Sequence, residues 1–377
     1  MRIAPSVLYW ALERGNHSIE ELRSAFPELE SWGKEQQPTL KELERFADEV
    51  SVPIGYLFLS KPPEEKLPIA DFRRMRDDSA MRPSSNLLST IYACQQRQNW
   101  YREHQLLSGE AQLDFIGSAR LTTSPVKIAA AMRNKLGFAV EERGNMTKDA
   151  ALKTFIERTS AAGVLVLING VVGHNTRRKL DPQEFRGFAL SDSVAPLIFI
   201  NGADAKSAQM FTLAHELAHL WLGKTGLSDA DMADGKGDSE HKVETWCNKV
   251  AAEFLVPSTQ LEELAKSVGD AEIKRLVKYF KVSKLVILRR LYDIGKMSYA
   301  KFMNEYKKEL ASLQKISKTS GGGNFYATFN VRINEKFARA LISSTLEGKT
   351  LYRECFRLLE IKNAQTFESL AKQYGIK

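Results

Sequence analysis

The clearest helical pattern in the chain runs from Thr212 to Leu222. The run contains no proline and a single β-branched residue, and Gly223 follows it as a C-cap glycine would. At helical spacing the apolar residues form one buried stripe, made of Phe211, Ala214, Leu217, Ala218 and Trp221. The pattern therefore predicts an amphipathic helix that is buried along most of its length.

A second helix is predicted over 239–255. Its buried stripe consists of Val243, Trp246, Cys247, Val250, Phe254 and Leu255. Glu244 borders this stripe, and Asn248 lies one turn later on the same side. Glu253 is nine residues beyond Glu244, about 180° round the helix, so we expect it to face water.

Short apolar runs precede the first of these helices and predict strands. The run 163–168 is fully apolar and predicts a central strand, and 185–190 and 196–201 follow after turn-rich links. Helical patterns dominate elsewhere, over 87–107, 126–136, 148–161, 260–268, 270–279 and 283–292. The fold class expected is α+β, mainly helical with a small sheet.

The two ends of the chain predict separate modules. Over residues 1–78 the pattern gives short helices at 7–14, 18–26 and 39–50, with Ser18 and Glu21 spaced as a capping box. The glycines at 321–323 end a flexible linker, 314–323. Beyond it, apolar residues alternate from 325 to 333 and predict a half-buried strand, followed by helices at 335–346, 350–359 and 366–374. A central domain, 79–313, and a small C-terminal α/β module, 324–377, complete the division.

Length and composition describe an ordinary soluble protein. The 377 residues suffice for two or three domains with sizeable cores. Three widely spaced cysteines, Cys94, Cys247 and Cys355, give neither a disulfide framework nor a thiolate cluster. The first residues do not form a signal peptide, and no apolar run reaches the roughly 18 residues of a membrane span. We therefore expect a cytoplasmic protein.

The net charge of +8 is unevenly distributed. Residues 1–78 carry about −4 and residues 258–377 about +11. This excess of positive charge indicates either a solvated, lysine-rich helical surface, which we favour, or an acidic partner, which would be nucleic acid or an acidic protein.

The sequence H-E-x-x-H carries the chemistry. His215 and His219 are four residues apart on the first helix and project from one face, where two imidazoles can bind one Zn²⁺. Glu216 lies beside the first histidine, in the place of a general base that takes a proton from water. The alternative to a metal site is a helix whose two histidines are ordinary surface or core residues.

A catalytic zinc also needs a third protein ligand. Leu222 and Thr225 stand where a metzincin would have glycine and histidine, so that class is excluded. Glu244 on the second helix is the preferred third ligand, with Glu240 and His241 as rivals. Asn248 is the predicted hydrogen-bond partner that orients one of the ligands.

These two helices resemble the ImmA/IrrE family of zinc metallopeptidases. The matching residues are 215–219 and the segment from Glu244 to Pro257, which follows the family pattern E-x-x-A-N/D-x-F-A-x-x-L-L-x-P except at the apolar positions Cys247, Val250 and Phe254. The resemblance implies a zincin-like, gluzincin-type core with one zinc per chain. It also implies a protein substrate, such as an XRE-type repressor of a mobile element or stress regulon.

Residues 32–59 and 68–73 resemble the XRE-type helix-turn-helix that often precedes such a peptidase. The segment 27–35 is acidic where a groove-reading helix needs basic or amide side chains, so we interpret the module as degenerate. Two alternatives to the peptidase remain open: a DNA-binding regulator, and an antitoxin-like interaction protein with a vestigial or regulatory zinc site. The oligomeric state is not predicted.

Two features of the active site stay open at this point. Residues 195–200 could form a sheet edge that accepts the substrate as an added strand. The developing oxyanion needs a second donor, for which His174, Arg186 and His241 are all candidates.

Overall fold

A computed structural model of the protein describes residues 3–15, 17–32, 37–71, 83–228, 239–316 and 325–376. The chain divides into two compact units, one formed by 1–68 with 75–91 and the other by 69–74 with 92–377. The domain boundaries predicted from the sequence, 1–78, 79–313 and 324–377, stay predictions.

The first unit is helical and has its own apolar core. Its elements are α1 (Pro5–Gly15), α2 (Ile19–Leu22), a 3₁₀ helix (Leu29–Ser31), α3 (Leu40–Glu49) and a second 3₁₀ helix (Ile54–Phe58). Phe26, Trp32 and Phe46 pack edge-to-face in the core, with ring centroids 5.5 to 5.9 Å apart. The predicted capping box of Ser18 and Glu21 is confirmed.

The acidic segment 27–35 stands where a helix-turn-helix would have its groove-reading helix. Its described residues contain a single 3₁₀ turn, and residues 33–36 lie outside the described part of the chain. Trp32 is buried in the core rather than exposed to a partner. The helix-turn-helix resemblance stays a prediction.

The rest of the chain is mixed α and β. After the strand β1 (Ala70–Asp71) and the long helix α4 (Ser85–Leu107) come the remaining elements. The helices are α5 (Pro125–Leu136), α6 (Val140–Gly144), α7 (Lys148–Ala161), α8 (Lys206–Trp221), α9 (Ser239–Leu255), α10 (Ser258–Leu264), α11 (Asp270–Phe280), α12 (Lys284–Asp293), α13 (Tyr299–Ile316), α14 (Phe325–Ile333), α15 (Glu335–Leu346), α16 (Tyr352–Leu359) and α17 (Ala364–Gln373). The strands are β2 (Leu165–Asn169), β3 (Val171–Val172), β4 (Asn175–Lys179), β5 (Gly187–Leu190), β6 (Leu197–Asn201) and β7 (Gly226–Ser228).

Five strands form the main sheet in the order β1-β7-β5-β6-β2. Strand β5 pairs antiparallel with both β6 and β7, whereas β2–β6 and β1–β7 are parallel pairs. The order corrects two expectations. The strand expected at the centre, β2, lies at one end, and β6, expected at an edge, is an internal strand.

Strand β2 is buried although it lies at the end of the sheet, because helices cover it. Both α7 and α14 contact this strand. The side chain of Asn334, which follows α14, also donates a hydrogen bond to the carbonyl of Val166, at 3.4 Å. An apolar run therefore indicated burial here and not a central position.

The strand predicted at 325–333 is wrong, because this segment is the helix α14. The C-terminal module is thus helical throughout its described residues rather than α/β. Helix α13 continues to Ile316, so the predicted linker 314–323 begins with helical residues, and its remainder lies outside the described residues.

The main core lies where α8 crosses the sheet. Helix α8 packs on β5 and β6 with one side and against α9 and α7 with others. Helix α9 in turn packs against α5. Among the described residues, no helix is both long and apolar enough to cross a membrane.

Candidate metal centre

Helix α8 carries the predicted zinc motif at its buried centre. The helix begins at Lys206 and ends at Trp221, before Gly223 turns the chain with φ of 66°. His215, Glu216 and His219 have no exposed surface at all. Because a buried ionisable side chain must find a charged or polar partner, three such residues in one helix indicate a functional site and not a packing surface.

Helix α9 brings Glu244 to the two histidines. One carboxylate oxygen, Oε1, lies 2.9 Å from His219 Nε2, and the other, Oε2, lies 3.2 Å from His215 Nε2. The two histidine Nε2 atoms are 3.0 Å apart. Three side chains from two helices therefore direct their ligand atoms to a common point.

The residues present fit a metal ion. His215, His219 and Glu244 form a group whose ligand atoms all lie within 4.8 Å of one another. Both oxygens of Glu244 are buried, and they lie 2.9 and 3.2 Å from the two histidine Nε2 atoms. Where these Nε2 atoms present lone pairs and not protons, the nitrogen and oxygen atoms repel one another unless a cation lies between them. Two imidazoles and one carboxylate are a donor set that suits Zn²⁺.

Burial and charge act against each other at these side chains. Burial alone would raise the pKa of Glu244, but the adjacent His215 and His219 outweigh it and lower the pKa to about 2. Burial also opposes the charged form of both histidines. The carboxylate of Glu244 outweighs burial at His215, whose pKa is raised, but not at His219, whose pKa is lowered. Glu244 is thus held as the anion that a cation requires.

Glu216 differs sharply from Glu244. Burial, opposed by nearby His215, raises the pKa of Glu216 to about 8. Two carboxyl groups with pKa values pushed apart in this way are typical of an acid–base residue beside a permanently charged one. The arrangement agrees with a ligand role for Glu244 and a proton-transfer role for Glu216.

Two residues of the sheet that no sequence motif indicates lie beside Glu216. The hydroxyl of Ser228, at the end of β7, lies 3.4 Å from Glu216 Oε2 and 3.2 Å from His219 Nε2. Gly187 in β5 lies opposite, and a Cβ atom there would be 3.2 Å from Glu216 Oε1. Neither residue belongs to a recognisable motif, because only the pairing of β5 with β7 brings them to the site.

The remaining predicted residues of α9 have different outcomes. Asn248 interacts with His215 in the direction that raises the pKa of this histidine, and its role as the orienting hydrogen-bond partner stays a prediction. His241 is half-buried, with its Nε2 atom 3.4 Å from the Thr245 hydroxyl, and it is not in the group of converging ligands. The side chain of Glu240 lies outside the described residues.

The expectation that Glu253 faces water is wrong. Glu253 is only 4% exposed and forms a buried ion pair with Arg290 of α12. Its Oε1 atom also accepts hydrogen bonds from the backbone and hydroxyl of Ser258. The helix is enclosed on several sides, so the face opposite Glu244 is buried as well.

The two other candidates for the oxyanion donor have partners of their own. Arg332 donates a hydrogen bond to His174 Nδ1 at 2.9 Å, in the C-terminal part of the chain. Arg186 lies 3.8 Å from the carboxylate of Asp204, just before α8. The role stays unassigned.

Comparison with known families agrees with this site. Residues 159–292 match the family model for the IrrE N-terminal-like domain of the M78 peptidases. Residues 333–373 match a domain of unknown function, DUF8813. Searches of curated proteins and of solved structures found no match.

The first match contains all three converging ligands and Glu216, and it supports the resemblance to the ImmA/IrrE family for this part of the chain. Peptidases of this family are zinc-dependent.

Proposed function

We propose that the protein is a zinc-dependent endopeptidase. The observation that carries this proposal is the convergence of His215, His219 and Glu244 beside a buried carboxyl group, Glu216, that is not itself one of the converging ligands. A purely structural zinc site would need a fourth ligand and would have no use for such a carboxyl group.

His215, His219 and Glu244 would hold the zinc, with Asn248 orienting His215. When bound there, zinc supplies Lewis acidity that polarises a peptide carbonyl and lowers the pKa of water. Glu216 accepts a proton as the water oxygen attacks the carbonyl carbon. The same carboxyl group then donates that proton to the amine nitrogen as the C–N bond breaks.

The proposed substrate is a protein, specifically an XRE-type repressor of a mobile element or stress regulon encoded beside this chain. Support for this substrate comes from the family resemblance alone. It is tested by co-expressing the two proteins and searching for repressor fragments by mass spectrometry.

Glu216→Gln tests the assigned base. This variant should retain zinc, because all three ligands remain, and should cleave at least about 10²-fold more slowly, since the base no longer accepts a proton. Zinc content and fragment yield are measured on the same preparations. Cleavage at the wild-type rate by Glu216→Gln would reject the role given to this residue.

A further inference from the structure

The hydroxyl of Ser228 contacts both Glu216 and His219 of the zinc motif. Ser228 has no exposed surface and ends β7, where its register partner in β5 is Gly187. Its Oγ atom lies 3.4 Å from Glu216 Oε2, in a long hydrogen bond that Ser228 donates.

The two oxygens of Glu216 have different surroundings. Oε2 accepts from Ser228, whereas Oε1 is buried and has no hydrogen-bond donor in the described part of the chain. The absent side chain of Gly187 leaves room at Oε1, since a Cβ there would lie only 3.2 Å away. One oxygen is therefore held, and the other has an unused acceptor position.

We propose that Ser228 is a positioning residue for Glu216. By donating to Oε2 it fixes the rotation of the carboxylate, so that Oε1 is the oxygen that accepts the proton of the attacking water. This inference rests on the proposed function, because it assigns a purpose to the orientation of the base.

A purely structural role would require different contacts. Thr225, three residues earlier, shows what such a role is like: its hydroxyl accepts a hydrogen bond from the backbone N–H of Ser191 at 2.8 Å. The Ser228 hydroxyl instead lies between a carboxylate and the ligand atom of His219, 3.2 Å away. Thr225 therefore provides a matched control.

The test uses Co²⁺ and acetohydroxamate as probes, so it needs no peptide substrate. A hydroxamate chelates a metal ion through its two oxygens, and it donates a hydrogen bond to a neighbouring carboxylate. Its affinity for the cobalt-loaded protein, measured by the change in the visible cobalt spectrum, thus reports on the placement of Glu216.

Ser228→Ala should weaken acetohydroxamate binding about five- to tenfold, the effect of one lost hydrogen bond, while Co²⁺ affinity stays unchanged. Ser228→Thr keeps the hydroxyl and should recover most of this loss, and Thr225→Ala should bind as the wild type does. In a Glu216→Gln background, Ser228→Ala should cause little further loss, because the two residues act through one interaction.

Three results would overturn the inference while leaving the peptidase proposal intact. These are wild-type acetohydroxamate affinity in Ser228→Ala, an equal loss in the Glu216→Gln background, and a loss of Co²⁺ affinity in Ser228→Ala, which would place Ser228 among the groups that support the ligands. A wild-type protein that binds no Co²⁺ would reject the proposed function as well.

Discussion

Gly187 lies where the sheet and helix α8 come closest. A Cβ atom at this position would lie 2.7 Å from Thr212 Cγ2 and 2.9 Å from the carbonyl oxygen of Phe199. The carbonyl belongs to the neighbouring strand β6 and cannot move without disturbing the sheet. Glycine at position 187 therefore allows α8 to pack close to the sheet, at a distance where Glu216 contacts Ser228.

Gly187→Ala should destabilise the protein by about 1–3 kcal/mol, as overpacking of a core does. The free energy of unfolding is measured by urea denaturation. Gly144→Ala is the matched control, because a Cβ there would be 3.8 Å from Tyr279 Cε2, an ordinary contact. Equal stability of the two variants would show that α8 can rise from the sheet at no cost.

At the residue scale, the site residues that could be predicted are those whose positions follow from the periodicity of their own helix, either α8 or α9. The spacing of His215 and His219 needs only the 3.6-residue turn, and Glu244 borders a stripe that can be read from its neighbours. Ser228 and Gly187 could not be predicted, because their positions depend on the pairing of β5 with β7. Strand register is a long-range property of the folded chain.

At the scale of elements, helix α9 is fixed by arginines at its C-terminal end. Arg133 of α5 donates to the carbonyls of Glu253 and Phe254, and Arg143 of α6 donates to that of Leu255. Arg290 of α12 donates to the carbonyl of Val256 as well as to Glu253. Positive charge at a helix C-terminus is favourable, and here it comes from three elements that surround α9.

Arg290→Met should destabilise the protein by about 3–5 kcal/mol, because it leaves the carboxylate of Glu253 buried without its cation. Urea denaturation gives the value. Lys153→Met, which breaks the exposed pair with Glu157, should leave the free energy of unfolding almost unchanged. A double variant, Arg290→Met with Glu253→Leu, should recover part of the loss; if Arg290→Met alone were neutral, the buried pair would have no stabilising role.

Helix α14 shows why one element was predicted wrongly. Alternation of apolar residues from 325 to 333 indicated a strand, but Phe329 and Ile333 are also four residues apart, as on one face of a helix. Both are 1% exposed, whereas Val331, which a strand would bury with them, is 39% exposed. A segment of nine residues is short enough to fit both the two-residue period of a strand and the 3.6-residue period of a helix. The segment forms a helix, which packs against β2.

At the scale of the whole molecule, the fold class and most helices could be predicted from the sequence, but the arrangement of the sheet could not. An apolar run shows that a strand is buried, but not whether neighbouring strands or covering helices bury it. For this reason β2 was expected at the centre of the sheet and β6 at an edge, whereas the structure has the reverse. The short strands β1 and β7 have too few residues to show any period.

The proposed peptidase activity depends on α8 and α9 binding one metal ion together. The most direct test is the zinc content of the purified protein, measured by mass spectrometry of the metal, for the wild type and for Glu244→Ala. We predict about one zinc per chain in the wild type and close to none in the variant, because two imidazoles alone bind zinc weakly. A wild-type protein without zinc, or a Glu244→Ala variant that retains the full amount, would contradict the account.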